Sequence, residues 1–551
     1  MVGHMIKMVY QEVRGLHQAA YILAIFAFGS QLLALVRDRL LANEFGAGIE
    51  LDLYYTAFRI PDLMYVLFAS TLSVYVLIPF VAERISETDS SKAKQLLSQI
   101  FSLFLVVYTL IAAVIFFLAP TLVPILFPGF AAEADILTTL LRILLLQPLF
   151  LGISSLFGVI TQMEHRFVLY ALSPLLYNIG IIAGILFLFP VFGLSGLVYG
   201  VVLGAAAHAL VQVPFVITSP LAPRSTFIFD WSEIRSVLAT SIPRAFTLSL
   251  TQLTLLVLIS IASVMTVGSV AVFQLAYNLQ SVPLAIVGVS YSVAAFPILA
   301  QLFSDDNLEQ FRTHIITALR HIIFWTVPMV ALIIVIRAQL VRVILGSGEF
   351  DWDDTMLTAA MLVMFVISLV AQAINLLLVR SLYAGGDTRT PLTIAVLGSV
   401  SAIVFSYTLY QIFVTYPAFA TQVESVMRVS SAVGTEVLML GLGFTIAVIM
   451  QTIALFVAAV RRYQLPTDWL YRHFARAILA AVLGGSVAYV TLNLIVSGLK
   501  TDTVIGIFLH GLVAGGTGIV TVALVYYLLR TPEFFEVIAS VKKRWLKSSA
   551  V

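Results

Sequence analysis

The sequence contains no cysteine. Disulfide bonds and thiolate metal sites are therefore excluded, and cysteine usage says nothing about a redox compartment. Charge is nearly as scarce: Asp, Glu, Lys and Arg make up 11% of the 551 residues, against about 25% in an average soluble domain. With 61% hydrophobic residues and a mean hydropathy of +1.05, soluble globular, disordered, collagen and coiled-coil readings are all ruled out. The formal net charge of +2 is too small, and the cations too scattered, for a nucleic-acid partner. No cleavable signal peptide is expected either: the first apolar run is long, starts after Arg14 and meets no small-residue cleavage site, so it reads as a first membrane helix.

What the chain has instead is long apolar runs. Charge clusters and Gly/Pro punctuation delimit spans near 17–42, 51–82, 96–127, 135–163, 167–190, 193–218, 234–265, 268–302, 313–345, 355–384, 390–414, 434–460, 474–498 and 503–529. Each is long enough to cross a bilayer as a helix. The runs are continuous rather than alternating, which selects helices over a barrel, the other architecture that satisfies every backbone group in lipid. The expected fold is an all-α polytopic membrane protein with fourteen transmembrane helices.

An even number of spans puts both termini on one side. If that side is the cytoplasm, the inner segments hold Lys92, Lys94, Arg166, Arg224, Arg312, Arg389, Arg461 and Arg462, while the outer loops hold Glu44, Glu50, Glu133, Asp135, Glu349, Asp351, Asp353 and Asp354. The positive-inside rule supports this orientation. Residues 415–433 form an unusually long outer loop. The tail from Glu533 to Lys547 mixes Phe534, Phe535, Val541 and Trp545 with Lys542, Lys543 and Arg544, a pattern suited to an interfacial helix on an anionic inner leaflet.

A weak repeat recurs at an offset of about 218 to 220 residues: Leu122-Val123-Pro124-Ile125-Leu126 parallels Leu340-Val341-Arg342-Val343-Ile344, and Pro79 parallels Pro297. Two pseudo-symmetric six-helix lobes, 1–220 and 221–463, are expected, followed by two extra helices in 464–530 and a cytoplasmic tail, 531–551.

Charges inside the apolar runs are the candidate functional residues. Arg37-Asp38-Arg39 interrupts the end of span one, either as an interfacial stop or as a functional cluster. The second reading is favoured because this end lies outside, where cations are scarce, and Leu40-Leu41 follows. In span two, Asp52, Tyr55 and Arg59 share a helical face with Asp62 beside Arg59; an internal ion pair and a substrate role are both open. Pro61 invites a kink there. Arg244 sits ten residues beyond Glu233, roughly 15 Å into span seven at 1.5 Å per residue, and must face water, a partner helix or an anionic ligand. His208, His314, His321 and His510 stand isolated and read as packing residues. No catalytic triad, zinc or P-loop spacing occurs, so neither an enzyme nor a cofactor is expected.

Several motifs together carry a resemblance. Ser30-Gln31-Leu32-Leu33-Ala34-Leu35-Val36-Arg37-Asp38, Phe45-Gly46-Ala47-Gly48, Asp52 and Phe58-Arg59-Ile60-Pro61-Asp62-Leu63 resemble the opening of the MurJ/MviN lipid II flippases. Gly348-Glu349-Phe350 with Asp354-Thr355, and Arg380-Ser381-Leu382-Tyr383-Ala384 followed by Asp387-Thr388-Arg389-Thr390-Pro391, resemble later junctions of that family. The resemblance implies the multidrug/oligosaccharidyl-lipid/polysaccharide exporter fold, with two lobes around a V-shaped cavity and helices thirteen and fourteen forming a groove for a lipid tail. It implies export of a lipid-linked saccharide diphosphate, lipid II, in the bacterial inner membrane; a monomer is expected, and the alternatives are an exporter of another lipid-linked glycan or amphiphile and a transport-inactive membrane scaffold. Arg37, Asp38, Asp52 and Arg59 match the family's site. Gln31, Met64-Tyr65 and Asn278 stand where the family has arginines, and its sodium-binding acids have no counterpart. Arg244, in a cavity-lining span, can replace lost positive charge.

The topology makes a direct prediction in a cysteine-free chain. Single cysteines replacing Gly434 or Asp353 should react with an impermeant thiol reagent from outside, and one replacing Ser90 should not. The opposite pattern would invert the orientation.

Overall fold

The computed structural model describes Glu12 and residues 16–72, 74–85, 90–495 and 503–548. Among these residues there is helix and no strand. Among the described residues, twelve helices are long and apolar enough to cross a membrane, and a bent pair makes a thirteenth. Their outward faces are apolar, with Phe117 76% and Val520 69% exposed, which is tolerable only in lipid. The chain is a multi-span membrane protein.

By contacts the chain divides into two units, Met1–Ala271 and Val272–Val551. The first contains α1 (Leu16–Phe45), α2 (Ile49–Ala57), α3 (Arg59–Thr71), α4 (Val74–Ala82), α5 (Ser91–Leu126), α6 (Ala134–Leu144), α7 (Leu146–Met163), α8 (Phe167–Ala183), α9 (Leu194–Leu210) and α10 (Trp231–Ser263), and ends in the first turn of α11 (Ser269–Leu284). The span expected over 51–82, with a kink invited by Pro61, is divided into α2, α3 and α4. Pro61 supplies a cause for the first break: it lacks the N–H that would bond to the carbonyl of Ala57, so the ladder cannot run unbroken from α2 into α3. Helix α10 packs along α3, and α8 lies between α1 and α9.

Backbone proximity fixes the α8–α9 crossing. A Cβ on Gly180 would lie 2.2 Å from the Cα of Gly204, and one on Gly200 would lie 2.4 Å from that of Gly184. Small residues let these helices touch where hydrophobicity cannot drive association. Helix α8 then relaxes into a π turn over Gly184–Leu188.

The second unit holds the rest of α11, then α12 (Ser290–Ser304), α13 (Leu308–Ile344), α14 (Trp352–Ile367), α15 (Leu369–Ala384), α16 (Arg389–Thr415), α17 (Pro417–Met427), α18 (Leu438–Tyr463), α19 (Asp468–Val490), α20 (Val504–Leu528) and α21 (Pro532–Ser548). The expected span over 355–384 is bent by 42° between α14 and α15. At the bend the Ser368 hydroxyl donates to the carbonyl of Phe365 at 2.8 Å and accepts from Gln372 at 3.0 Å, so a side chain enters the helical ladder. The segment expected as a long outer loop contains α17, whose last carbonyl, Met427, accepts from Arg337 at 2.7 Å. Helices α13, α19 and α20 pack on one another.

The α8–α9 crossing yields a stability prediction. Gly200→Val should cost about 1–3 kcal/mol through overpacking, lowering folded yield and thermal midpoint. Gly516→Val, at a position with no atom within 4 Å of the added Cβ, should do neither. Equal behaviour of the two would remove the packing explanation.

Candidate functional site

The first unit gathers most of the sequence-predicted polar residues on α1, α2, α3 and α8. Arg37 and Asp38 lie near the end of α1, with side chains 21% and 4% exposed. Arg37 Nε and Nη2 both donate to Asp38 Oδ1, at 2.9 and 2.8 Å. Its Nη1 donates to Asn178 Oδ1 on α8, at 3.3 Å. The Asn178 amide is oriented by its other end, where Nδ2 donates to Ser30 Oγ at 3.1 Å and to the carbonyl of Pro174 at 3.2 Å. Three of the five guanidinium N–H groups are thereby used. One N–H remains on each terminal nitrogen, on a side chain that is only partly exposed.

Around this fork lie the polar groups of span two. Arg59 is buried and its Nε donates to the carbonyl of Tyr55 at 3.2 Å. Asp62 lies beside Gln147 and in the field of Arg59 and Arg37. Among the described residues the buried Tyr55 hydroxyl has no hydrogen-bond partner, and it faces the charges of Asp38, Arg37 and Arg59. Gln147 also donates to the Tyr177 hydroxyl, at 3.1 Å. This arrangement offers forked cationic donors within a largely desolvated wall, which is the chemistry that recognises phosphate.

Asp52 has a different surrounding. It is 2% exposed, and its two oxygens accept from the backbone N–H groups of Gly268 and Ala271, each at 2.7 Å. It caps the start of α11, where the unpaired amides of a helix N-terminus favour an anion. Gln31 is half-buried on α1. Arg244 lies on α10, but its side chain is outside the described residues. Asn278 belongs to the second unit and accepts from Gln274 at 2.7 Å.

Asn178, Gln147 and Tyr177 were missed by the sequence reading, and Ser30 stood there only as the first residue of the opening motif. Asn178 carried a usable signal, an amide inside an apolar span, which in lipid requires partners. The histidines divide. His208 Nδ1 is 2.6 Å from Ser154 Oγ, within a network that includes Gln212, and so is a satisfied packing residue. His321 is not isolated as expected: its Nε2 is 2.9 Å from Glu536 Oε2.

The later motifs prove to be junction chemistry. Arg342 Nη1 donates to the carbonyls of Phe350 and Asp351 at 3.0 and 3.2 Å, closing the Gly348-Glu349-Phe350 turn. Asp387 accepts from the Arg389 and Thr390 amides at 3.1 and 3.0 Å and from the Thr390 hydroxyl at 2.8 Å, and it pairs with Arg462 Nη1 at 3.2 Å. Burial pushes its carboxyl up, but the bonds from Thr390, the Arg462 charge and the Arg389 amide outweigh this and hold it below the ordinary aspartate range.

The sequence model for "Lipid II flippase MurJ" matches residues 41–431. A probable lipid II flippase MurJ of Rhizobium tropici is 25% identical over 480 residues, covering 84% of this chain and 85% of its own. The lipid II flippase MurJ of Burkholderia cenocepacia is 25% identical over 380 residues, covering 67% and 74%. Among solved structures, a lipid II flippase MurJ in an inward closed conformation aligns with a TM-score of 0.72 at 22% identity, covering 92% of this chain and 99% of its own. An inward-facing multidrug resistance MATE family transporter of the MOP superfamily aligns at 0.64 and 16% identity, covering 79% and 94%. The two structures establish the fold.

The Asp387 junction predicts a pH-dependent loss of stability. A carboxyl held below its unfolded value of about 3.9 contributes stability above that pH and loses it as pH falls through the folded value. Asp387→Ala should cost about 1 kcal/mol at pH 7, as loss of a helix cap does. The gap in thermal midpoint between wild type and variant should narrow below about pH 4. A gap that stays constant to pH 3 would deny the ionised carboxylate its role.

Proposed function

Because the chain belongs to the lipid II flippase MurJ family, we propose that it moves the undecaprenyl-diphosphate-linked peptidoglycan precursor, lipid II, from the inner to the outer leaflet of a bacterial cytoplasmic membrane. It works as a monomer by alternating access, with both termini in the cytoplasm. The observation that carries the site assignment is the Arg37 fork, held by Asp38 and Asn178 with one N–H left on each terminal nitrogen. A diphosphate is the part of the substrate that needs such donors, since its charge must leave water as the head group crosses. The prenyl tail can stay in lipid along helices thirteen and fourteen, here α19 and α20.

In this reading Arg37 contacts the diphosphate and Arg59 supports it electrostatically. Asp38 holds the fork between substrates and yields part of it during transport. Asp52, with both oxygens engaged by backbone amides, holds the start of α11. Gln31 and Asn278 line the path as neutral polar residues where relatives in the family resemblance carry cations, and Arg244 supplies compensating charge.

Arg37→Ala should abolish most lipid II binding and transport per folded molecule, and Arg37→Lys should be impaired less, because a lysine keeps charge without fork geometry. If Arg37 serves only as a structural partner of Asp38, Arg37→Ala would instead lower folded protein and leave transport per molecule normal. Arg244→Ala should weaken transport without loss of membrane expression, and adding Asn278→Arg should restore part of it. Full activity of Arg244→Ala would remove the compensation. Competition by other lipid-linked glycans as strong as by lipid II itself would point to a related exporter.

A further inference from the structure

The last helix delivers a carboxylate into the packed second unit. Glu533, in the first turn of α21, is 1% exposed. Arg320 Nε of α13 donates to its Oε1 at 2.5 Å, and His473 Nε2 of α19 lies 3.1 Å from the same oxygen. Arg476 of α19, Tyr526 of α20 and Thr531 line the same small cavity. One turn further, Glu536 meets His321 of α13. The Tyr526 hydroxyl donates to the carbonyl of Phe324 at 2.8 Å, and the two rings stack with centroids 4.4 Å apart.

The charge arithmetic of this junction is specific. Arg320 and Arg476 come from two helices that pack on one another, and both are partly buried and border one cavity. Like charges brought together repel, and a partly buried cation stripped of its counter-ion opposes the packing around it. Glu533 is the anion at that point. Nothing in the transport reading uses it.

We propose that Glu533 is a positioning residue for transport: as the counter-ion between α13 and α19, it makes the C-terminal helix a clip that fixes where α19 and α20 sit against α13. This rests on the assignment of α19 and α20 to the prenyl tail. Transport then depends on α21 through the placement of that pair, without α21 touching substrate.

The test uses a geometric reporter that does not require transport. A Cβ built on Gly485 lies 3.6 Å from Ala331 Cβ, within the range for a disulfide, so Ala331→Cys with Gly485→Cys in the full-length cysteine-free chain should cross-link under mild oxidation. Adding Glu533→Gln should slow cross-linking and lower lipid II transport, each about tenfold, because Arg320 is left uncompensated. Adding Arg320→Gln to that variant should recover much of both, since the neutral pair removes the stranded charge; this double variant also covers failure of Glu533→Gln to fold. Unchanged cross-linking in Glu533→Gln, or no recovery in the double variant, overturns the counter-ion role. Cross-linking that responds as stated in a protein with no lipid II transport at all would leave the positioning of α19 and α20 standing and sink the transport reading instead.

Discussion

An ionised side chain inside a lipid-embedded bundle must be paired before it can be used. Arg37 illustrates the constraint. Its guanidinium is tolerated because Asp38 takes two of its N–H groups and Asn178 a third, while Asn178 is itself held by Ser30 and Pro174. The partners compensate desolvation and at the same time fix the direction of the remaining donors. Pairing and presentation of the fork are one arrangement.

The same constraint accounts for the departures from straight helices. Where Asp52, Arg59 and Asp62 enter span two, the helix is broken rather than continuous, with Pro61 close to the first break. Both oxygens of Asp52 accept from the buried amides at another helix start. In the second unit the bend at Ser368 is filled by its own hydroxyl and by Gln372. At Ser368 and at the first break of span two, where Arg59 takes the carbonyl of Tyr55, irregular backbone coincides with polar side chains that bond to it.

Much of this was legible in the sequence. Continuous apolar runs gave the helical class, and Arg37, Asp38, Arg59 and Asp62 announced themselves as charges where charge is costly. Pro61 signalled a kink, though not that the span would divide into three helices. Asn178 and Gln147 were not found: an amide in an apolar run signals that partners are needed, but its spacing does not say which, and they are remote in sequence. Glu533 escaped for a related reason: it stood only as the start of a basic, amphipathic tail read as an interfacial helix, and its burial depends on Arg320 and His473, far away along the chain. His321 was taken as isolated because periodicity cannot place the tail beside α13. The Asp387 motif was visible as a family signature, but its chemistry, a capping carboxylate paired to Arg462, needed the fold.

The most direct measurement of the central claim is complementation in a bacterium depleted of its own lipid II flippase. If this chain moves lipid II, its expression should restore growth and cell-wall synthesis, and extracted lipid II should cease to accumulate in the inner leaflet. Failure to restore either, with folded protein demonstrated in the membrane, would contradict the account.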